Sequence, residues 1–168
     1  ITDSGSSRNY CVTVIDNQNP VIICAAAISV NADLDLCTYA SSQLSPPTAT
    51  DNCQITSIVA SPTSLVLGSN IVTWTATDNS GNTSICSQEV TVIDNEPPTP
   101  PTILSIIADC SVTPMPPIAQ DNCMVEIVGT ANTSFPIQSS STIIWTFNDG
   151  NGNISTASQI VTINNCTD

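Results

Sequence analysis

The chain is built from an internal repeat. The triplet Asp51-Asn52-Cys53 returns as Asp121-Asn122-Cys123, 70 residues later. The stretch Trp74–Asn82 returns 71 residues later as Trp145–Asn153, with tryptophan, threonine, aspartate, glycine and asparagine at matching positions. A period of this length is typical of tandem small domains of about the size of an immunoglobulin-like sandwich. The function is therefore expected to be one that strings of domains perform.

Alternating apolar and polar residues predict strands along the chain. The run Ile71–Thr77 alternates, breaks at a polar turn that contains Gly81, and is followed by the alternating run Ser87–Ile93. This is the pattern of a β-hairpin, in which glycine supplies the positive φ of a tight turn. The second copy has the same plan from Ile143 to Ile163, and 12 prolines stand where they would break helices. We predict an all-β fold with two tandem immunoglobulin-like β-sandwich domains.

Proline-rich stretches mark the domain boundaries. Asp16–Pro20 and Asp94–Pro101 each follow the predicted last strand of a copy. Such stretches are stiff and extended, so successive domains are expected to be held apart within a limited range of angles. We expect complete domains at residues 19–96 and 97–168. Residues 1–18 are expected to be the last strand and linker of an otherwise missing repeat.

Composition restricts the classes of function. The chain has 14 carboxylates, one lysine or arginine and no histidine, giving a net charge of −13. This balance excludes ordinary binding to nucleic acid and argues against anionic membranes. The groups that usually titrate near neutral pH in catalysis are absent, so we predict that the protein is not an enzyme. The eight cysteines point to disulfides and an extracellular location, secreted or on a cell surface, and no apolar run is long enough for membrane insertion.

The first complete repeat resembles the HYR (hyalin repeat) domain, an immunoglobulin-like module of secreted and cell-surface proteins. The matching residues are Pro20–Cys24, Cys37, Pro46–Cys53, Gly68–Asp78, Gly81, Asn82, Cys86 and Val90–Pro97. The second repeat keeps Cys110, Asp121-Asn122-Cys123 and the turn at 149–153, but it lacks the outer two cysteines. The resemblance implies adhesion or extracellular architecture, often in long tandem arrays, and it does not imply catalysis.

Comparing the two copies predicts the disulfides. Cys86 aligns with Ala157 and Cys24 aligns with the stretch 101–103, so both are lost together in the second copy, as expected for two partners of one bond. Cys37 and Cys53 align with Cys110 and Cys123, and both pairs persist. The predicted bonds are therefore Cys24–Cys86, Cys37–Cys53 and Cys110–Cys123. With one bond fewer, the second domain is expected to be the less stable.

Two cysteines, Cys11 and Cys166, remain. Val12–Asn17 matches Val90–Asn95, so Cys11 begins a surplus strand, whereas Cys166 follows the last predicted strand. In one interpretation Cys11 pairs with a residue outside these 168, and Cys166 is unpaired or pairs further along. In the other, Cys166 of one copy bonds Cys11 of the next, and residues 1–18 lie against the neighbour's C-terminal domain in a head-to-tail filament.

Several polar residues have two interpretations. Trp74 and Trp145 are predicted as core anchors, with an exposed sugar-binding platform as the alternative. Carboxylates that begin turns or loops need no ligand, because they cap backbone amides; they are Asp51, Asp78, Asp121 and Asp149. The linker carboxylates Asp16, Asp94 and Glu96 are the predicted ligands if Ca²⁺ binds, since they have almost no basic partners. No cofactor is required.

Four Asn-x-Ser/Thr sequons offer glycosylation sites. They are Asn82, Asn132, Asn153 and Asn165. Taken together, the sequence predicts an extracellular structural protein that polymerises head to tail into a surface filament stabilised by disulfides. The alternative is an adhesion or spacer module of a large tandem-repeat protein, which presents its loops to a cell-surface receptor or glycan.

Overall fold

The computed structural model describes residues 13–124 and 126–164. The first repeat, residues 19–96, has eight strands and a 3-10 turn at Ser41–Gln43. Its strands are β1 Val21–Ile23, β2 Ile28–Asn31, β3 Thr38–Ala40, β4 Thr48–Thr50, β5 Ile55–Ser61, β6 Ser64–Val66, β7 Gly68–Asp78 and β8 Thr83–Ile93. Those of the second repeat, residues 97–168, are β9 Ile106–Asp109, β10 Ile118–Ala119, β11 Ile127–Val128, β12 Thr130–Ala131, β13 Ser141–Asn148 and β14 Ile154–Asn164. Apart from the 3-10 turn, the described residues contain no helix, and the all-β prediction is confirmed.

The first repeat is a two-layered sandwich. One layer is a four-stranded sheet in the order β2-β8-β7-β5, in which β2 runs parallel to β8 and the other neighbours are antiparallel. Two short antiparallel pairs, β1–β4 and β3–β6, form the other layer. Alternate side chains of both layers point inward, as the period of two in a strand requires. The buried core consists of Leu44, Leu65, Val72, Trp74, Val90 and Val92.

The second repeat has the same frame with a reduced second layer. Its large sheet has the order β12-β13-β14-β9, in which β9 runs parallel to β14, as β2 does to β8 in the first repeat. Outside this sheet are the pair β10–β11 and two isolated bridges, Thr99–Gln120 and Val112–Ile137, and the bridges stand where the first repeat has β1–β4 and β3–β6. The core consists of Ala119, Ile127, Ile137, Ile143, Trp145, Phe147 and Val161.

Each core is made by one repeat. The buried residues of the first core lie between positions 44 and 92, and those of the second between 119 and 161. The domain boundaries at residues 18 and 96 stay a prediction, but neither core crosses them. Among the described residues, no helix is long and apolar enough to cross a membrane.

The long hairpins lie where the alternating pattern predicts them, but β7 and β8 begin at Gly68 and Thr83, three and four residues before the predicted runs. Strands β7 and β8 pair from Gly68 to Thr83, and β13 and β14 pair in the equivalent register. Gly81 in the first turn has a φ of 90°, a value that glycine adopts without the penalty of a Cβ. The turn prediction is confirmed.

That the surplus N-terminal segment is the last strand of a missing repeat stays a prediction. Its described part, residues 13–15, forms no strand within this chain. Val14 is 90% exposed, whereas Val92, its counterpart in the first repeat, is 2% exposed within β8. The reason is that a strand needs a neighbouring strand for its backbone hydrogen bonds, and both repeats already contain their own last strand, β8 and β14. The rest of the segment, residues 1–12, lies outside the described residues.

Candidate functional site at the junction between the repeats

One disulfide crosses the interior of the first repeat. Cys24, just after β1, bonds Cys86 in β8, with the two Cα atoms 5.8 Å apart. Both side chains contact the buried core, so the bond joins the two layers of the sandwich. This pair matches the prediction made from the joint loss of both cysteines in the second repeat.

A second disulfide joins the two repeats. Cys37 of the first repeat bonds Cys123 of the second, with their Cα atoms 4.8 Å apart. The predicted pairs Cys37–Cys53 and Cys110–Cys123 are therefore wrong. Cys53 is a free, exposed thiol, and Cys110 is disulfide-bonded, although not to Cys123. Cys11 and Cys166 lie outside the described residues.

The physical reason for this correction is a loop that the second repeat lacks. The backbone N–H of Ala32 donates to the Ile93 carbonyl at 2.8 Å, and the N–H of Cys110 donates to the equivalent Asn164 carbonyl at 3.3 Å. Cys110 therefore occupies the position of Ala32 and not that of Cys37. In the first repeat, residues 33–37 follow this position and extend to the neighbouring repeat.

Hydrogen bonds support the disulfide on both sides of the junction. The Asn122 amide donates to the carbonyl of Leu36 at 2.9 Å. The backbone N–H of Asp35 donates to the two carboxylate oxygens of Glu96 at 3.0 and 3.2 Å. The loop that carries Cys37 is therefore held by the second repeat and by the linker at the same time.

The linker is also fixed to the hairpin turn of the second repeat. Asp94 is 3% exposed, and its carboxylate accepts a hydrogen bond from the Asn151 amide at 3.0 Å. The Asn153 amide donates to the Asp94 carbonyl at 3.2 Å. In the first repeat the Asn82 amide donates to the Asp16 carbonyl at 3.3 Å. The segment before each repeat is therefore hydrogen-bonded to the equivalent asparagine of the hairpin turn.

Carboxylates gather at the equivalent place in both repeats. Ligand atoms of Asp94, Asp121 and Cys123 lie within 4.8 Å of one another, as do those of Asp16, Asp51 and Cys53. The predicted Ca²⁺ ligands Asp16 and Asp94 thus belong to two separate clusters. Glu96 lines a polar hollow of about 220 Å³ beside the second cluster.

Some oxygens at these clusters have no hydrogen-bond partner. Buried atoms without a partner include Oδ2 of Asp121, Oδ1 of Asn122 and Oδ2 of Asp16. A buried oxygen that accepts no hydrogen bond is costly, unless water or a cation satisfies it. Oxygen donors of this kind are the ligands that Ca²⁺ prefers. The sequence singles out Asp16, Asp94 and Glu96, but it assigns Asp121 only the capping of backbone amides and gives Asn122 no role.

The hairpin aspartates are turn caps, as predicted. Asp78 and Asp149 are 2% and 1% exposed. Burial by itself would raise the pKa of Asp78, but hydrogen bonds from the Asn82 side chain and from the turn's backbone amides outweigh it and lower the pKa. The same balance, with Asn153 as the side-chain donor, lowers the pKa of Asp149.

The tryptophans are core anchors, and the sugar-platform alternative is wrong. Trp74 and Trp145 are 3% and 1% exposed. The indole N–H of Trp74 donates to Gln88 at 3.0 Å, and that of Trp145 donates to Gln159 at 3.0 Å. The sequence analysis missed both glutamines, although they follow the tryptophans at an equal spacing of 14 residues. That equal spacing was the signal that could have identified them.

An apolar cavity opens beside Trp74. It has a volume of about 360 Å³, and its lining includes Leu44, Ile58 and Ala60. In the second repeat the ring of Phe135 stands 6.0 Å from that of Trp145. The first repeat has serine, proline and threonine in the corresponding loop. The cavity holds no cluster of polar groups that indicates a reaction.

The sequons differ in how their amides are used. The side-chain amides of Asn82 and Asn153 both donate hydrogen bonds within their turns. Asn132 is exposed, and its Oδ1 accepts a hydrogen bond from the Ile144 N–H at 2.9 Å. Glycosylation stays a prediction, and the geometry favours Asn132 among these three. Asn165 lies outside the described residues.

Comparison with known protein families finds a match over the first repeat. The family model described as HYR domain matches residues 15–92, which confirms the resemblance over the first repeat. That match and the two disulfides fit an extracellular module of the adhesion type, a class without catalytic function.

Solved structures of multidomain proteins are similar to the chain at low identity. Drosophila N-cadherin EC1-4 has 13% identity, with 88% of this chain and 50% of that chain covered, at a TM-score of 0.45. Human protocadherin-24 EC1-2 has 12% identity over 88% and 98%, at 0.39. The titin domains z1z2 in complex with telethonin have 12% identity over 91% and 100%, at 0.35. The chain thus spans half the length of the N-cadherin fragment, and TM-scores this low support no conclusion about function.

Proposed function

We propose that the chain is a structural segment of an extracellular fibre or stalk, in which HYR-like repeats are stacked end to end and locked at each junction. The observation that carries this proposal is the Cys37–Cys123 bond between the repeats. A disulfide within one domain stabilises that domain, whereas a disulfide between two domains restricts their relative movement. The Asn122–Leu36 hydrogen bond is a second connection that spans the junction, and the Asp35–Glu96 hydrogen bonds fix the loop that carries Cys37 to the linker.

The role of such a segment is to keep the domains on either side of it at a fixed distance and orientation. Interfaces between domains of one chain usually permit relative motion unless they are large. Here a covalent bond between the repeats supplies such a restraint. The chain is secreted or displayed on a cell surface in this proposal, and it performs no reaction.

Small-angle X-ray scattering tests the proposal. The double variant Cys37→Ala/Cys123→Ala removes the junction bond, and Cys24→Ala/Cys86→Ala is the matched control, because it removes a bond inside one repeat. We expect the junction variant to have a larger spread of interdomain distances than the wild type, while the control keeps the wild-type distribution as long as it is folded. Identical distributions for the wild type and the junction variant would contradict the locked arrangement.

Ca²⁺ at the junction belongs to the same proposal. Its ligands would come from Asp94, Asp121, Asn122 and Glu96, and the unpaired oxygens Asp121 Oδ2 and Asn122 Oδ1 support this assignment. Titration calorimetry of chelator-treated protein with CaCl₂, and with MgCl₂ as control, measures the binding. A ligand at 100 times its Kd stabilises the folded state by about 2.7 kcal/mol, so a rise in Tm should accompany binding. Absence of both heat and a Tm shift would refute the Ca²⁺ site.

A head-to-tail filament of copies of this chain is the second proposal. Its supporting observation is the exposure of Val14, at 90%, whereas its counterpart in β8, Val92, is 2% exposed. Residues 1–18 would then join the C-terminal domain of a neighbour by strand addition. A ladder of multimers that collapses on reduction would support a covalent link between copies. A single oxidised monomer band would rule that link out.

A further inference from the structure

The first repeat carries the same docking face that the second repeat uses at the junction. This face, called here the receiving face, consists in the second repeat of Asp94, Asp121, Asn122 and Cys123. Its counterpart in the first repeat consists of Asp16, Asp51, Asn52 and Cys53. In both repeats the linker aspartate, the loop aspartate and the cysteine sulfur lie within 4.8 Å of one another.

The two faces also share their internal hydrogen bonds. The N–H of Cys53 donates to Asp51 at 2.9 Å, and the N–H of Cys123 donates to Asp121 at 2.8 Å. The contact of each linker with its hairpin asparagine is equivalent as well, at 3.3 Å for Asn82 and 3.2 Å for Asn153. The backbone of the first face is therefore already in the shape that accepts a neighbour.

The difference lies in what the polar groups contact. In the second repeat, Asn122 donates to the Leu36 carbonyl, and Cys123 bonds Cys37. In the first repeat, the Asn52 amide donates to Asp16 at 3.3 Å. The Cys53 sulfur likewise lies within 4.8 Å of an Asp16 carboxylate oxygen. Asn122 and Cys123 of the second repeat thus contact the neighbouring repeat, whereas Asn52 and Cys53 of the first repeat lie against the linker.

We propose that the receiving face of the first repeat docks a preceding HYR-like repeat, and that Cys53 forms a disulfide with a cysteine at the end of that repeat's second-to-third-strand loop. The docked loop would correspond to residues 33–37, and Asn52 would donate to its last carbonyl before the cysteine. Thr13–Ile15, which match Thr91–Ile93, would be the end of that preceding repeat. This inference rests on the end-to-end stacking proposed above and names the partner of one further junction.

A second copy of this chain is the poorer partner for Cys53. In the copy's first repeat, Cys37 is already bonded to Cys123. Its second repeat lacks the loop that reaches the neighbour. Where the first repeat has the seven residues 32–38, the second has only the two residues 110–111. Cys110 stands at the start of that short connection and is disulfide-bonded.

The bond requires an oxidant. Two thiols each lose one proton and together give two electrons to the disulfide of a thiol-disulfide oxidoreductase of the secretory route, which leaves as a dithiol. The thiolate is the attacking species in this exchange.

Disulfide mapping of the protein, as its source secretes it, tests the inference. Free thiols are first blocked by alkylation, and a protease that cleaves before aspartate is then applied without reductant. The positions of the aspartates place each of the eight cysteines on its own peptide. Cys53 is on the peptide 51–77, Cys37 on 35–50 and Cys123 on 121–148.

The expected result is that peptide 51–77 is linked to a peptide of another HYR-like repeat, at a cysteine in the loop that follows its second strand. Recovery of alkylated Cys53, or its linkage to Cys11, Cys110 or Cys166, would overturn the inference. The peptide pair 35–50 with 121–148 is the internal control. If that pair is absent, the proposed stacking itself fails; if it is present and Cys53 is alkylated, only this inference fails.

Discussion

The first and second repeats have the same frame but hold their cores together by different means. The first repeat uses the Cys24–Cys86 bond between its layers. In the second, Ala157 stands at the position of Cys86, and both phenylalanines of the chain, Phe135 and Phe147, contact the core. An aromatic core and a covalent bond are therefore alternative solutions within one fold. The features that both repeats retain are the tryptophan–glutamine pair and the capped hairpin turn.

One pair of facing residues shows how the aromatic core is accommodated. In the first repeat, Ile58 in β5 lies opposite Ala76 in β7. The equivalent positions in the second repeat are Gly129 and Phe147. A Cβ on Gly129 would lie 2.9 Å from Cε1 of Phe147 and 3.2 Å from the Pro117 carbonyl oxygen. The large side chain has changed strands, and glycine is required because the phenyl ring fills the space opposite it.

The largest expected effect follows from removing the buried ring. Phe147→Ala should lower the free energy of unfolding of the second repeat by about 3–5 kcal/mol, because Phe147 is fully buried and its loss leaves a cavity. Urea unfolding followed by hydrogen exchange in each repeat measures the change separately. The double variant Gly129→Ile/Phe147→Ala recreates the pair of the first repeat and should recover part of the loss. Equal destabilisation of the single and double variants would contradict the exchange of side chains across the strands.

Removing the disulfide of the first repeat is expected to have a comparable, slightly smaller effect. Cys24→Ala/Cys86→Ala releases a loop of 62 residues, for which chain entropy gives about 4 kcal/mol and measured values often less. The same unfolding experiment should show the loss in the first repeat and leave the second unchanged. The same experiment on the wild type compares the stabilities of the two repeats. The cysteine comparison predicts that the second repeat is the less stable of the two, despite its phenylalanines.

The buried glutamines should matter equally in both repeats. Gln88→Met leaves the indole N–H of Trp74 and the carbonyl of Ala26 without their partners, and Gln159→Met does the same to Trp145 and Leu104. A buried unsatisfied group costs about 1–3 kcal/mol, so each variant should lose that order of stability. Tm measurements on both variants check this. Unequal losses of stability would show that the equivalent hydrogen bonds do not contribute equally in the two repeats.

The smallest expected effect is a dependence on pH that both repeats share. The folded-state pKa of Asp78 and that of Asp149 are lowered, so their contribution to stability is present above the unfolded pKa of about 3.9 and is lost as pH falls through the folded value. Tm should therefore fall on acidification below about pH 4. In Asp78→Asn the fall should be shallower in the first repeat, with Asp149→Asn as the matched variant. Unchanged profiles in both variants would show that other carboxylates cause the loss.

Several features could be predicted from the sequence because they depend on residues that are close in the chain or repeated within it. Period-two alternation predicted β7 and β8, and Asp78 with Gly81 predicted their turn, since a tight turn requires these residue types locally. The joint absence of Cys24 and Cys86 from the second repeat identified their bond without any geometry.

The partner of Cys37 could be decided only by the tertiary structure. Two cysteines can bond when their Cα atoms are within about 4.4–6.8 Å, and that distance depends on how the two repeats are placed against each other. Alignment of cysteines treats each repeat as a closed unit, so it matched Cys37 with Cys110 and overlooked the extra loop of residues 33–37. That loop leaves its own domain and carries Cys37 to Cys123. A pattern in one chain records which residues recur, but the contact between two domains depends on surfaces that meet only after both have folded.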